Sequence, residues 1–185
     1  MTEPASIIFL HGASSSGKST LARMLQERIE LPFWHISIDH LRDAGVLPLA
    51  RVKTGAFNWK LMRKPFFDGF HASLAAYAHA GNNLIVEHIL DTPNWQAELA
   101  ELFTPFDVLF VAVHCPVDEL RRREEARGDR PGGSAEQDFL TIHRDRSYDL
   151  EVQSLDGAEV NVDKILSGWR AERPVSNFFK VTAGR

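Results

Sequence analysis

The chain has 185 residues, 44% hydrophobic and 25% charged, with a formal net charge of −4 and one cysteine, Cys115. That length suffices for one domain with a proper core, and the acidic balance gives no footprint for non-specific nucleic-acid binding. A single thiol excludes an internal disulfide framework, Met1-Thr2-Glu3-Pro4 lacks the basic start of a signal peptide, and no apolar stretch approaches a membrane span. The expectation is a cytoplasmic protein that works without a membrane or nucleic acid.

Residues 7–10 (Ile-Ile-Phe-Leu) form an apolar run that predicts a buried strand. Directly after it, Gly12, Ala13, Ser14, Ser15, Ser16, Gly17, Lys18 and Ser19 spell a complete G-x-x-x-x-G-K-[ST] phosphate loop. Such a loop gathers backbone N–H groups into one concavity at the positive end of the next helix. Lys18 then reaches the β- and γ-phosphates, the Ser19 hydroxyl ligates Mg²⁺, and Thr20 continues the candidate nucleotide contacts. Residues 20–28 have helical apolar spacing. A strand before and a helix after favour a nucleoside-triphosphate site over a plain Ser/Gly linker.

The next β-rich run is 33–38. Residues 58–80 read as a long amphipathic helix, interrupted near Pro65 and stopped by Gly81 and Asn82. A short apolar run at 84–86 leads to Glu87-His88, and Pro93 opens a helix to about 102. Residues 107–113 are almost continuously apolar, as in a strand covered on both faces. A charged helix at 116–127 precedes a loop at 128–134 with three glycines. A helix over 135–146, a fifth strand within 148–153, a closing helix over 160–169 and an irregular end complete the pattern.

Strand–helix alternation of this kind predicts an α/β fold: a parallel five-stranded sheet with helices on both faces. No repeat or linker divides the chain, so residues 1–185 read as one domain. Ligands bind beyond the carboxyl ends of such strands. That rule selects the phosphate loop, Asp39, Glu87-His88 and His114-Cys115.

Two readings of Asp39 stand side by side. Its carboxylate can take the proton of a hydroxyl that attacks a γ-phosphate, or it can cap the helix starting at His40. Glu87 ends a strand where phosphate-loop proteins place an acid near the metal shell; the alternative is a satisfied polar strand end. In the segment 121–130, Arg121 and Glu125 read as an i,i+4 pair on a solvated face. Arg123 and Arg127 share a face with like charge, an arrangement that a polyphosphate would favour. Gly128, Gly132 and Gly133 supply hinges for closure; the bland reading is a solvated charged helix. The eight histidines show no metal-ligand spacing, so a zinc site is not expected. His71, His79 and Trp59 read as the surface or packing face of a helix, while the roles of His88 and His143 stay open.

With these segments in place, the chain resembles the chloramphenicol phosphotransferase family of small P-loop kinases. The resemblance rests on residues 7–19 (IIFLHGASSSGKS), the Ile38-Asp39 step, 107–115 (DVLFVAVHC), 123–130 (REEARGDR), Gln137, His143 and 148–152 (YDLEV). It implies a nucleoside-kinase-like P-loop NTPase fold with an Arg-rich lid at about 121–134. It further implies transfer of the γ-phosphate of Mg-ATP to a hydroxyl of a small antibiotic, with a resistance role. By position Asp39 becomes the catalytic base, Lys18 and Ser19 carry over directly, and Arg123, Arg127 and Arg130 become lid arginines, Arg127 with a catalytic part. Ser19 and Glu87 are the candidate metal residues.

Two departures touch the acceptor. Glu87-His88 stands where the family tends to pair acids, and the likeness thins over 41–80. That region holds Arg51, Lys53, Trp59, Lys60, Arg63 and Lys64, which point to an anionic or polar acceptor at least as readily as to chloramphenicol. A metabolic kinase for a nucleoside, sugar acid or shikimate-like acceptor is the first alternative. A nucleotide-dependent regulatory ATPase or binding module is the second, disfavoured by the absence of an N-K-x-D run.

Overall fold

The computed structural model describes residues 4–127 and 134–181, with side chains through Ala126 and again from Glu136. In chain order the elements are β1 (Ser6–His11), α1 (Lys18–Arg28), β2 (Phe33–Ser37), α2 (Ile38–Asp43), α3 (Leu49–Lys53) and α4 (Trp59–His79). There follow β3 (Asn83–His88), α5 (Trp95–Phe103), β4 (Asp107–His114), α6 (Val117–Arg127), α7 (Ser134–Thr141), β5 (Leu150–Gln153) and α8 (Ala158–Arg170). The strands form one five-stranded sheet in the order β2-β3-β1-β4-β5, and every described pairing is parallel.

Strand β1 lies at the centre, and all six of its residues are buried. Alternation along the strands divides the core in two. Ile7, Phe9, Leu84, Val86, Val108 and Phe110 pack against α4 and α5 through Phe70, Leu74, Leu99 and Phe103. Ile8, Leu10, Ile85, Leu109, Val111 and Val113 pack against α1 and α8 through Leu21, Leu25, Val162 and Ile165. Both faces of the sheet are therefore covered, the arrangement that apolar parallel strands require. Among the described residues no helix is long and apolar enough to cross a membrane.

Several local expectations change. Helix α4 runs unbroken through Pro65. The bond that Pro65 cannot donate belongs to the Leu61 carbonyl, and Leu61 is 75% exposed, a position where the missing partner costs little. The helix expected at 135–146 ends at Thr141, ahead of a turn that holds Asp145 at φ 56°. The chain end is not wholly irregular: a 3₁₀ turn at Asn177–Phe179 buries Phe178 against Phe9, Phe103 and Phe110. Asp149 anchors that end by accepting from Phe110 N at 2.8 Å, Asn177 N at 2.7 Å and the Ser176 hydroxyl.

Candidate phosphate-loop site

Strand β1 delivers the chain at His11 into the phosphate loop, and α1 begins at Lys18. Ser15 (φ 63°) and Gly17 (φ 103°) adopt left-handed backbone, which turns successive N–H groups toward one concavity. A Cβ on Gly12 would stand 2.5 Å from the Val113 carbonyl oxygen and 2.8 Å from Ser16 Oγ, so only glycine fits there. Lys18 is buried and donates from Nζ to the carbonyls of Gly12 (2.8 Å) and Ala13 (2.7 Å). Its charge is thereby folded over the loop.

The loop forms the floor of a cavity of about 760 Å³ lined by residues 14–21, Asp39, His40, Glu87, Arg123 and the start of α8 at Ala158 and Asn161. Sheet order explains its two ends. Strand β5 and α8 flank the loop on one side, and β2, β3 and α2 on the other. At the β3 side Ser19 donates from Oγ to Glu87 Oε2 at 2.8 Å, and His35 Nε2 bonds the other carboxylate oxygen. Burial raises the Glu87 pKa, but the bonds from His35 and Ser19, with the Lys18 charge, outweigh it and hold the group below the usual carboxylate range. Glu87 is an anion beside the loop hydroxyl.

Asp39 lines the same cavity, and it is not the cap of α2. Ser37 holds that position, its hydroxyl accepting from Asp39 N at 3.2 Å, while the Asp39 carboxylate pairs with Arg42 at 3.1 Å. Of the two readings of Asp39, capping is removed because another residue does it.

The helix ahead of the expected lid is arranged differently from the sequence reading. Arg121 pairs with Glu136 at 2.6 Å and with Asp118 at 3.1 Å, where Glu125 was expected, because α7 packs alongside α6. Arg123 is held by Glu119 at 2.6 Å and reaches the Ser15 carbonyl at 3.3 Å, directly over the loop. Arg127 ends α6, its side chain beyond those described, and Arg130 with residues 128–133 lies outside the described residues. On the loop's other flank, Ser14 N donates to Asp138 of α7 at 3.0 Å.

The charges read as acceptor determinants point elsewhere. None of Arg51, Lys53, Trp59, Lys60, Arg63 and Lys64 lines the cavity. Arg63 Nη2 bonds both carboxylate oxygens of Asp91, Lys64 pairs with Asp68, and the Arg51 guanidinium lies over the Phe57 ring. Arg51, Arg63 and Lys64 are thus engaged by local pairs and an aromatic face.

His88 and His143 acquire definite places. The His88 ring lies among Phe9, Phe67, Phe70 and Trp95, and its Nε2 meets His71 Nε2 at 2.8 Å. Since His88 Nδ1 donates to the Ile89 carbonyl at 2.8 Å, the shared hydrogen between the rings belongs to His71. Burial pushes His88 down to about 3 and His71 to about 4, so the pair is neutral. His143 Nδ1 and His11 Nδ1 both bond the Tyr148 hydroxyl, at 2.7 and 3.0 Å. Burial also holds His11, the residue before the loop, well below its usual pKa, with the Lys18 charge a lesser contribution in the same direction.

One set of residues escaped sequence reasoning. His35, His40 and Glu87 bring their ligand atoms within 4.8 Å of one another, although the spacing of the histidines along the chain gives no metal-ligand pattern. The two histidines are five residues apart across a strand–helix junction, and the acid comes from the neighbouring strand. No spacing rule joins them. What joins them is the pairing of β2 with β3, which sets Ser37 opposite Glu87 and which the sequence pattern does not specify.

The structure is similar to the Mycobacterium tuberculosis APS kinase CysC in complex with AMPPNP and APS, with a TM-score of 0.69, 14% identity, and coverage of 92% of this chain and 100% of that one. A gluconokinase from Sinorhizobium meliloti is similar with a TM-score of 0.61 and 19% identity, over 91% of this chain and 93% of its own. In sequence the chain is 30% identical over 167 residues to a Mycobacterium tuberculosis protein provisionally named an O-phosphotransferase, covering 80% of this chain and 74% of that relative. The family model for chloramphenicol phosphotransferase-like proteins matches residues 5–166, and the chain belongs to that family.

Proposed function

We propose that the protein transfers the γ-phosphoryl group of Mg-ATP to a hydroxyl of a small molecule, as one domain with the segment at about 121–134 as its lid. The observation that carries this reading is the cavity floored by the phosphate loop and lined at one end by Asp39. The Ser19–Glu87 pair adds to it. Ser19 Oγ and the ionised Glu87 carboxylate are hard oxygen donors that fit Mg²⁺, which when bound neutralises charge on the phosphates.

Lys18 leaves the carbonyls of Gly12 and Ala13 for the β- and γ-phosphates, while residues 12–20 cradle the chain of phosphates. Asp39 orients the acceptor hydroxyl and takes its proton as the oxygen bonds to the γ-phosphorus, the bond to the bridging oxygen breaks and ADP departs. Arg123, with Arg127 and Arg130 from the lid, stabilises the charge that spreads over the transferring group. The acceptor is chosen at the β2 side of the cavity, where Ile38 and Ile89 offer apolar surface beside Asp39. A neutral or amphipathic hydroxyl compound fits that end better than a strongly anionic one. The work of such a kinase belongs in the cytoplasm.

The test is a phosphoryl-transfer screen with Mg-ATP against chloramphenicol, other hydroxylated antibiotics, nucleosides, sugar acids and shikimate. Wild-type protein should phosphorylate at least one hydroxyl compound, and Lys18→Ala none at unchanged thermal stability. Slow hydrolysis without transfer to any acceptor would instead favour a nucleotide-dependent switch. Full turnover by Lys18→Ala would overturn the loop reading.

A further inference from the structure

We infer that His35, His40 and Glu87 form a second metal site, one that takes Zn²⁺ or a similar nitrogen-preferring divalent ion rather than Mg²⁺. The juxtaposition is specific to the way this chain folds. His35 lies on β2, His40 on α2 just beyond that strand, and Glu87 at the end of the neighbouring β3. Their ligand atoms fall within 4.8 Å of one another, and the two imidazole rings are 4.6 Å apart, set edge to face. Zinc places nitrogen and oxygen ligands about 2.0–2.2 Å from the ion, so donors on a shared ion are little more than 3 Å apart. The Glu87 and His35 side chains are fixed at 5% and 7% exposure and already touch. His40 is exposed on a short helix and closes the remaining gap by side-chain rotation.

The donor set decides the metal. Two imidazoles and one carboxylate are the zinc combination of many catalytic centres, whereas Mg²⁺ selects oxygen and keeps its waters. His35 donates to Glu87 through its Nε2 hydrogen here; moving that hydrogen to Nδ1 frees the same nitrogen for the ion. Glu87 and His40 both line the cavity, so further positions on the ion face water or a phosphate oxygen.

This site shares a ligand with the pair proposed for catalysis. Glu87 offers the ion Oε1 while Oε2 keeps accepting from Ser19 at 2.8 Å, so one carboxylate charge is divided between the zinc and the Mg²⁺ that Ser19 would hold. Occupation by zinc therefore turns phosphoryl transfer down. That consequence rests on the function proposed above; binding of the ion does not.

The two parts are tested separately. Chelator-treated full-length protein, free of nucleotide, is titrated with Zn²⁺ by calorimetry in excess Mg²⁺, and with Co²⁺ by visible absorption. One equivalent should bind, and Co²⁺ should give the intense bands of a low-coordinate site with nitrogen ligands. His40→Ala, at an exposed position, should weaken Zn²⁺ binding by about 10-fold or more, since losing a direct ligand costs at least what losing an outer-shell partner does. His35→Gln, which retains a donor toward Glu87, should do the same. Absence of one-equivalent binding, or binding that neither variant weakens, would overturn the site. In the activity assay, Zn²⁺ in excess Mg²⁺ should inhibit wild type at concentrations that leave His40→Ala at its own zinc-free rate. Equal inhibition of both would overturn the switch, while failure to find any phosphorylated acceptor would count against the proposed function and leave the binding result intact.

Discussion

Glu87 and His88 are adjacent on β3, yet strand alternation sends them to opposite faces of the sheet. Glu87 faces α1, where Ser19 and His35 bond its two carboxylate oxygens and the cavity opens beside it. His88 faces α4 and α5, enclosed by aromatic rings and paired with a second neutral histidine. The first residue is kept charged by hydrogen bonds in spite of burial, and the second is kept neutral by burial itself. A polar dipeptide at a strand end therefore divides into a half beside the cavity and a half in the aromatic core. Which half is which is set by the helix that each side chain meets.

Substitutions that exchange these roles should separate activity from stability. The largest effect belongs to Glu87→Gln, which keeps the shape but removes the charge beside Ser19. The rate of transfer should fall about 100-fold or more, a few kcal/mol of lost electrostatic support, while thermal unfolding changes little. A fully active Glu87→Gln protein would erase the distinction between the two residues.

His88→Ala should behave in the reverse way. It leaves a cavity among Phe9, Phe67, Phe70 and Trp95 and strands the His71 donor. The expected loss is roughly 2–4 kcal/mol in urea unfolding, with kcat of the folded fraction within a few-fold of wild type.

Acid should probe the same pair. The pKa values of His71 and His88 are lowered from 6.5 to about 4 and about 3, so the unfolded chain binds their protons first. Their contribution to stability is complete above about pH 6.5 and is lost as the pH falls toward 4. The slope is about 1.4 kcal/mol per pH unit for each proton taken up. The double variant His71→Leu, His88→Leu should lose that part of the slope in unfolding curves measured across the window. An unchanged slope would mean that the pair is already charged in the folded state.

The smallest effect concerns α2. Ser37→Ala should cost roughly 1 kcal/mol, as expected for a lost cap, and Asp39→Asn should cost less. The opposite order would return Asp39 to a capping role.

Much of this molecule was legible in its sequence, and the limit has a physical form. The phosphate loop was readable because one contiguous segment supplies its glycines, its lysine and its hydroxyl, and the strands because both their faces are apolar. Asp39 and Glu87 were found by counting to the carboxyl ends of strands. The His35–His40–Glu87 set was not, because it depends on β2 lying beside β3, a neighbour relation that alternation of strands and helices does not specify. The fate of Arg51, Arg63 and Lys64 was equally hidden, since a basic residue in a thin stretch of similarity looks the same whether it meets a ligand or its own Asp91. Ser37 as the cap of α2 could have been read, because serine immediately before Ile38-Asp39 is a favoured cap that competes with aspartate.

The most direct test of the account is Asp39→Asn, assayed with Mg-ATP and the acceptor that wild type phosphorylates best. The substitution keeps the size of the side chain and leaves the Ser37 cap in place, but it cannot take a proton at neutral pH. ATP affinity should stay within a few-fold of wild type and thermal stability nearly unchanged, while transfer falls by at least about 10²-fold, the usual cost of a lost general base. An Asp39→Asn protein that phosphorylates the acceptor at close to the wild-type rate would contradict Asp39 as the base.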